Sequence, residues 1–516
     1  MKKILIILIA FALLMLPCQA YSAGFCGSWG SNGSNPWVVS SDAGGTPSCA
    51  QADVKACVED VAAEGDTVNV PGGCSDTWNT MGSCVGYSNM NGAICMDTGI
   101  SLVGGYGGGI TSITSGASNE CAYNYGLVVL YSTNWNGVAQ TYEVSNFSFV
   151  SDANIIFRLG AGTAPFTQQN LKIHDIIQTD EAETSCKGGF IFNKGGFWGV
   201  VYDNNIDVPY PIANSFAGND SWWANAPQNE ITLGSDDALY YEDNVFAIGL
   251  ESSSSSALMN GEYAPRYVAR YNTITDVNYG DSLFDFHGEQ STPMAAGFFF
   301  EVYGNNYTPD NSGNATDYLS QRSGRGKVFF NNINMQASSL TPKFDIGNSA
   351  SICPPNYPEL KMTQDSYYFR NREDYTSDLI NINVGVTKID DCAGQDNWPT
   401  DGRDVFDDNS SPGVDCGSAL PGTCTVGEGY WLTTDTTMCT DLTNYVGANP
   451  TVAISGTFYK CTSTNVWTSN YTPYTYPHPL RINNKGIANK PAAKIFITGG
   501  SPEVTHEGGM REVIRE

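Results

Sequence analysis

The chain of 516 residues sets 25 Lys and Arg against 53 Asp and Glu, a formal net charge of −28. A field of that sign excludes nucleic acid as a partner, because a phosphate backbone needs a basic track, and it disfavours polyanionic sugars wherever no local basic patch opposes it. With 28 Tyr, 10 Trp and 55 Gly, the composition fits an extracellular protein that handles neutral polar material such as a polysaccharide.

The chain opens MKKILIILIAFALLMLPCQAYSA. Two lysines, an apolar run and small residues at Ala20 and Ala23 predict a secretory signal peptide over residues 1–23. No later stretch is long and apolar enough to cross a bilayer. The expected destination is extracellular, at the cell surface or in a periplasm. Of 15 cysteines, Cys18 leaves with the leader, and the even remainder predicts disulfides of undetermined pairing. They crowd the two ends, from Cys26 to Cys121 and from Cys353 to Cys461, with Cys186 nearly alone between.

Residues 24–64 read as an N-terminal cap. In SCAQADVKACVEDVAAEG a helix is expected, with Ser48 capping, Gln51 at the reciprocal position of a capping box, and Val54, Val58 and Val61 on one side. Gly65 and Asp66 end it, and TVNVP begins the first strand. ISLVGGYGGGITSIT then gives strand, glycine turn, strand; no lysine and helix follow to make a phosphate loop.

From residue 65 to 350 a weak repeat runs through VSNFSF, IHDIIQ, DNNIDV, EDNVFA, YNTITD, GNNYTP and FNNINM. Its polar positions Ser145, His174, Asn204, Asp243, Asn272, Asn305 and Asn331 fall roughly 30 residues apart, one turn of a solenoid. A second strand recurs as IIFRLG, FIFNKG, EITLGS, SALMNG and SLFDFHG. The fold expected is all-β, a parallel β-helix with a short capping helix and disulfide-rich ends; an antiparallel sandwich is the competitor. Residues 207–229 interrupt the turns as a long polar loop, and residues 351–440 as a longer insertion within a cysteine-rich region, 351–485, that completes or covers the coil. Residues 486–516 differ in character and read as a tail.

Three stretches resemble the pectate-lyase-like right-handed parallel β-helix superfamily, in particular a large branch of secreted bacterial proteins: GDTVNVPGG with ISLVGGYGGGITSIT, YAPRYVARYNTI with FHG and EVYGNN, and TFYKCTSTNVWTSNYTPYTYPHPLR. The resemblance implies the right-handed parallel β-helix over most of residues 50–481. It leaves activity open, since the superfamily holds polysaccharide lyases, glycoside hydrolases, esterases, tailspikes and noncatalytic surface proteins.

The densest charge lies in RYNTITDVNYGDSLFDFHGEQ. Alternation in SLFDFHG sets Leu283, Asp285 and His287 opposite Phe284 and Phe286. Arg270, Asp285 and His287 are the expected catalytic centre, with Asp236 and Glu262 as further carboxyls and Arg266, Glu289 and Glu301 in the same groove. Arginine orients a carboxylate or takes a proton, and histidine transfers one near neutral pH. Hydrolysis needs two carboxyls, which the adjacent Asp236 and Asp237 do not supply as a pair. Trp222 and Trp223 suit sugar stacking. Asp203, Asp207, Asp237 and Asp243 are candidate ligands for calcium, a hard ion that wants oxygen. His174 is assigned to a bend and His478, between prolines, to packing. The expected function is a secreted polysaccharide lyase or glycoside hydrolase; the alternative is a noncatalytic surface, adhesion or fibre-forming protein that self-assembles or attaches to cells.

Overall fold

The computed structural model describes residues 25–28, 37–41, 46–79, 82–84, 91–116, 125–132, 139–151, 155–161, 169–179, 189–193, 197–207, 210–215, 233–247, 258–262, 266–275, 282–286, 299–308, 317–322, 324–334, 343–348, 363–376, 379–380, 383–388, 399–482, 494–496 and 503–505. Three long sheets of 13, 9 and 11 strands dominate, and nearly every neighbour pair is parallel. One turn of chain supplies one strand to each. Arg266–Arg270 joins the first sheet, Thr273–Thr275 the second and Ser282–Phe286 the third, before Phe299–Tyr303 returns to the first. The result is a solenoid-like all-β fold compatible with a β-helix.

Register explains the core. In the first sheet Val144, Ile173, Val201, Tyr241, Ala269, Val302, Val328 and Tyr368 follow one another at successive turns, and all are buried in one continuous cluster. Each large side chain in that column contributes about 1.5–3 kcal/mol by leaving water. The sheets also extend beyond the expected 65–350 span: Ser366–Phe369 and Val405–Asp407 continue the first, and Asn383–Lys388 the third.

From Ser145 onward the chain turns tightly between the first and second sheets, through a pair of bend positions. The first takes positive φ at Asn146, Asp175, Asp203, Asp243, Tyr271, Gly304, Phe330 and Arg370, a costly conformation for Tyr, Phe and Arg. The second is the ladder residue. Asn204, Asn244, Asn272, Asn305 and Asn331 each pass a side-chain amide to the next Oδ1 at 2.8–3.0 Å, and Asn371 is the last acceptor. The repeat read from sequence therefore slips by one at Asp243 and by two at Ser145 and His174. The true equivalents are Asn244, Phe147 and Ile176; the latter two are apolar and sit in the core cluster.

Two further expectations change. The third-sheet strand that follows Gly189–Asn193 is Tyr210–Ser215, inside the segment expected to be loop, while Leu233 and Gly234 of EITLGS lie in a turn. At the N-terminus the helix Gln51–Lys55 widens over Ala56–Val61, and no side chain caps it. Ser48 Oγ bonds Asp53 at 2.5 Å instead, and Gln51 bridges away to Ala93 and Asn79. Val54 and Val58 are buried, but Val61 is exposed.

Disulfides Cys26–Cys57, Cys49–Cys74 and Cys84–Cys95 staple the beginning, and Cys416–Cys439 and Cys424–Cys461 the end. Cys121, Cys186, Cys353 and Cys392 lie outside the described residues. No helix among the described residues is long and apolar enough to cross a membrane.

A fourth sheet of four strands, Val414–Gly417, Gly429–Leu432, Thr457–Ser463 and Val466–Tyr471, lies on the outer face of the first. There Val268, Tyr303, Phe329, Tyr367 and Phe369 form a second core with Trp431, Met438, Leu442, Phe458 and Tyr471. The late turns are thus apolar on both faces, as a sheet covered on both sides must be.

Candidate functional site

The outer faces of the three sheets differ in what borders them. From Ser145 onward tight bends join the first sheet to the second. The sequence between consecutive strands is longer around the third sheet, as from Ala247 to Met259, from Phe286 to Phe299 and from Thr308 to Asp317. The third sheet also carries a polar track. Strand pairing aligns Arg158, Phe192, Ala213, Asn260, Asp285 and Ser320 at successive turns, about 4.8 Å apart. Their neighbours Phe157, Ile191, Met259, Phe284 and Phe286 fill the core. Leu283, expected to face outward with Asp285, is also in that cluster.

Within the track Asp285 is held by Arg322, whose Nε donates to Oδ1 at 3.1 Å and whose Nη2 donates to Oδ2. The two-point contact fixes the carboxylate plane and leaves both side chains partly open to solvent. Arg158 lies over the Phe192 ring, 4.2 Å from its centroid. Burial pushes its guanidinium down to about 9, so it stays charged at neutral pH.

Arg270 is elsewhere. It points from the outer face of the first sheet and is wholly buried beneath the C-terminal region. Nε and Nη2 donate to Glu242 Oε2 at 2.8 and 2.6 Å, Nη1 to the Tyr303 hydroxyl at 2.9 Å and the Tyr474 carbonyl at 2.7 Å, and Nη2 also to the Thr475 carbonyl at 2.9 Å. Every donating nitrogen is engaged, so the structure separates Arg270 from Asp285 and gives it a clamping duty. The groove expected to join them does not form among the described residues, because adjacent strands of the same turn belong to different sheets.

The other expected residues divide in the same way. Glu301 is buried, accepts from Gly234 N at 2.8 Å and from the Tyr471 hydroxyl, and burial raises its carboxyl above the usual range. Arg266 is buried between the Trp198 and Phe299 rings at 5.9 and 5.7 Å; burial lowers it to about 9, with Asp237 opposing. Asp236 and Asp237 occupy the turn before Leu239–Glu242, where burial and then Asp236 raise Asp237. The Glu262 side chain, Trp222, Trp223, His287 and Glu289 lie outside the described residues.

The candidate calcium ligands do not converge as a set. Asp207 is on the second sheet, and Asp237 is in the turn beside Arg266. Asp203 and Asp243 do meet, around Arg481: Nη2 donates to Asp203 at 3.0 Å, and Nη1 to Asp243 and to Glu242 at 2.8 Å. A guanidinium takes the place expected for a cation. Among the described residues no group of three His, Cys, Asp or Glu side chains is arranged to hold a metal ion. Burial still pushes Asp203 up to about 6, against the pull of Arg481. His478 packs between the Tyr240 and Tyr474 rings, as its prolines predict.

Sequence reasoning missed an outer cluster on the early turns of the first sheet. Glu143 accepts from Lys172 at 2.6 Å and contacts His174 Nε2 at 3.0 Å, while His174 Nδ1 lies 2.8 Å from Asp175. Burial would raise Glu143, but His174 and Lys172 outweigh it and hold the carboxyl far below its usual range. Burial likewise opposes the protonated ring, yet Asp175 and Glu143 keep His174 above its ordinary value. The signal was present in sequence, because Glu143, Lys172 and His174 stand in YEVS and KIHD at outward parity; it was hidden by the two-residue slip in the repeat. Arg158 and Phe192 were missed because IIFRLG and FIFNKG show in sequence only a recurring second strand. No family model, no curated protein and no solved structure matches the chain.

Proposed function

We propose that this is an exported right-handed parallel β-helix protein of the pectate-lyase-like kind, and that it recognises an extracellular glycan along the outer face of the third sheet. One observation carries this reading: the register-aligned track from Arg158 through Phe192, Asn260 and Asp285 to Ser320. A polar or aromatic residue at every turn but that of Ala213 suits an extended polymer laid parallel to the coil. Five disulfides fit an oxidising destination. His287, two residues beyond Asp285 in the sequence, is our candidate for acid–base chemistry.

A noncatalytic surface protein is the second reading. Sealing of Arg270, one of the two residues expected as a base, favours it. Incubation of the protein with plant, algal and bacterial glycans, with and without a chelator, separates the two. Unsaturated products or new reducing ends that disappear in Asp285→Asn and His287→Ala support an enzyme. Retention on a glycan without cleavage supports the surface protein, and neither retention nor products removes both.

A further inference from the structure

We infer that Arg158 is a carboxylate-binding site at the N-terminal end of the third-sheet track. The side chain is 1% exposed, and among the described residues neither Nε nor Nη1 meets an acceptor. Arg266 is likewise buried against aromatic rings, but it has Asp237 as an opposing charge. Arg270 and Arg481 each reach carboxylates and Arg322 clamps Asp285, whereas no ion pair among the described residues involves Arg158. Its neighbours across the strands are Val129 and Phe192, which offer no negative charge.

A ring face offsets only part of what it costs to bury an unpaired cation, and a buried donor without an acceptor calls for a partner. Burial lowers the guanidinium to about 9, not far enough to neutralise it near pH 7. The partner must therefore accept hydrogen bonds and carry negative charge. A carboxylate does both and matches a guanidinium in plane and spacing. It reaches the site either as a free small carboxylate or on an acidic sugar within a glycan; only the second source rests on the function proposed above. The local cation also answers the argument that a net charge of −28 turns acidic sugars away, since the repulsion is overcome where Arg158 stands.

The test uses the full chain and two probes. A uronate-containing oligosaccharide and its carboxyl-reduced, neutral counterpart are compared for binding, and sodium acetate is compared with sodium chloride at equal ionic strength for its effect on the melting temperature. Wild type is expected to prefer the acidic oligosaccharide by roughly tenfold to a hundredfold, the range of a charge-assisted hydrogen bond. Arg158→Gln should bind both sugars alike, and Arg158→Lys should keep a weaker preference and serve as the comparison if the glutamine variant does not fold. If neither sugar binds but acetate stabilises wild type and not the variants, the carboxylate site stands with a free ligand while the glycan reading falls. Equal binding of both sugars without an acetate effect overturns the Arg158 inference and leaves the glycan reading intact. No response to any probe overturns both.

Discussion

Asn305→Ala tests whether the asparagine ladder sets the stability of the coil. Its Oδ1 accepts the Asn272 backbone N–H at 3.0 Å and the Asn272 amide at 2.9 Å, while its own amide donates to the Ala269 carbonyl at 2.9 Å and to Asn331 Oδ1 at 3.0 Å. All of these groups are inside, so none finds water when the side chain is removed. The orphaned N–H costs about 1–3 kcal/mol and each of the three other lost bonds about 1 kcal/mol, about 4–6 kcal/mol altogether. At the first rung the loss should be smaller. Asn204 Oδ1 accepts only the Ile176 N–H, at 3.0 Å, because the preceding position holds isoleucine; Asn204→Ala is expected to cost about 1 kcal/mol less. Urea unfolding followed by circular dichroism, disulfides intact, reads both, with the exposed Asn470→Ala as a control within about 0.5 kcal/mol of wild type. A cost under about 1 kcal/mol at Asn305, or equal costs at Asn204 and Asn305, would refute the assignment of stability to the ladder.

Arg481→Met leaves Asp203, Asp243 and Glu242 facing one another and should cost about 3–5 kcal/mol; limited proteolysis is expected to cut the 399–482 region first, and an unchanged digestion pattern counts against the clamp. Mild acid should stabilise the protein. Asp203 and Asp408 have folded values raised by burial to about 6 and about 7, so the native state takes up protons before the unfolded chain does, and stability rises as pH falls through that window. His174, raised above 6.5, acts in the same direction, its contribution being lost as pH rises through its folded value. Glu143 and Glu242 are lowered, and their contribution disappears only at more acidic pH. Burial holds His478 down to about 4, which opposes this gain below its ordinary value, but Asp203, Asp408 and His174 together outweigh it, so melting temperature should peak near about pH 5; a steady fall from pH 8 to pH 5 contradicts the assignment.

The solenoid was legible because its rule is local: a strand, a bend and another strand recur every turn, and each turn contacts only its neighbours. Which residue occupies a given rung was less legible. EDNVFA presents Asp and Asn side by side, and only the bend geometry shows that Asp243 takes the positive φ while Asn244 enters the ladder. The same ambiguity displaced His174 from the outer cluster it forms with Glu143. The C-terminal cover was beyond local reading altogether. Arg270 meets the Tyr474 carbonyl across 204 residues, and Glu242 meets Arg481 across 239, so local sequence around Arg270 carries no sign of the segment that buries it.

That outcome bears on how charge should be weighed in a coil of this kind. An arginine next to acids in sequence is not thereby a site, since consecutive strands of one turn face three directions; what matters is whether residues a turn apart share a column and what covers that column. On the first sheet the covered column is closed by charge pairing: Arg270 with Glu242, and Arg481 with Asp203 and Asp243. On the third sheet Asp285 is paired with Arg322 yet remains partly open, and Arg158 has no described counterion. Satisfied, sealed charge belongs to the fold, because opening it costs several kcal/mol. A column that keeps one partly open pair and one uncompensated cation is where a ligand has something to gain, and it is there that the search for a glycan belongs.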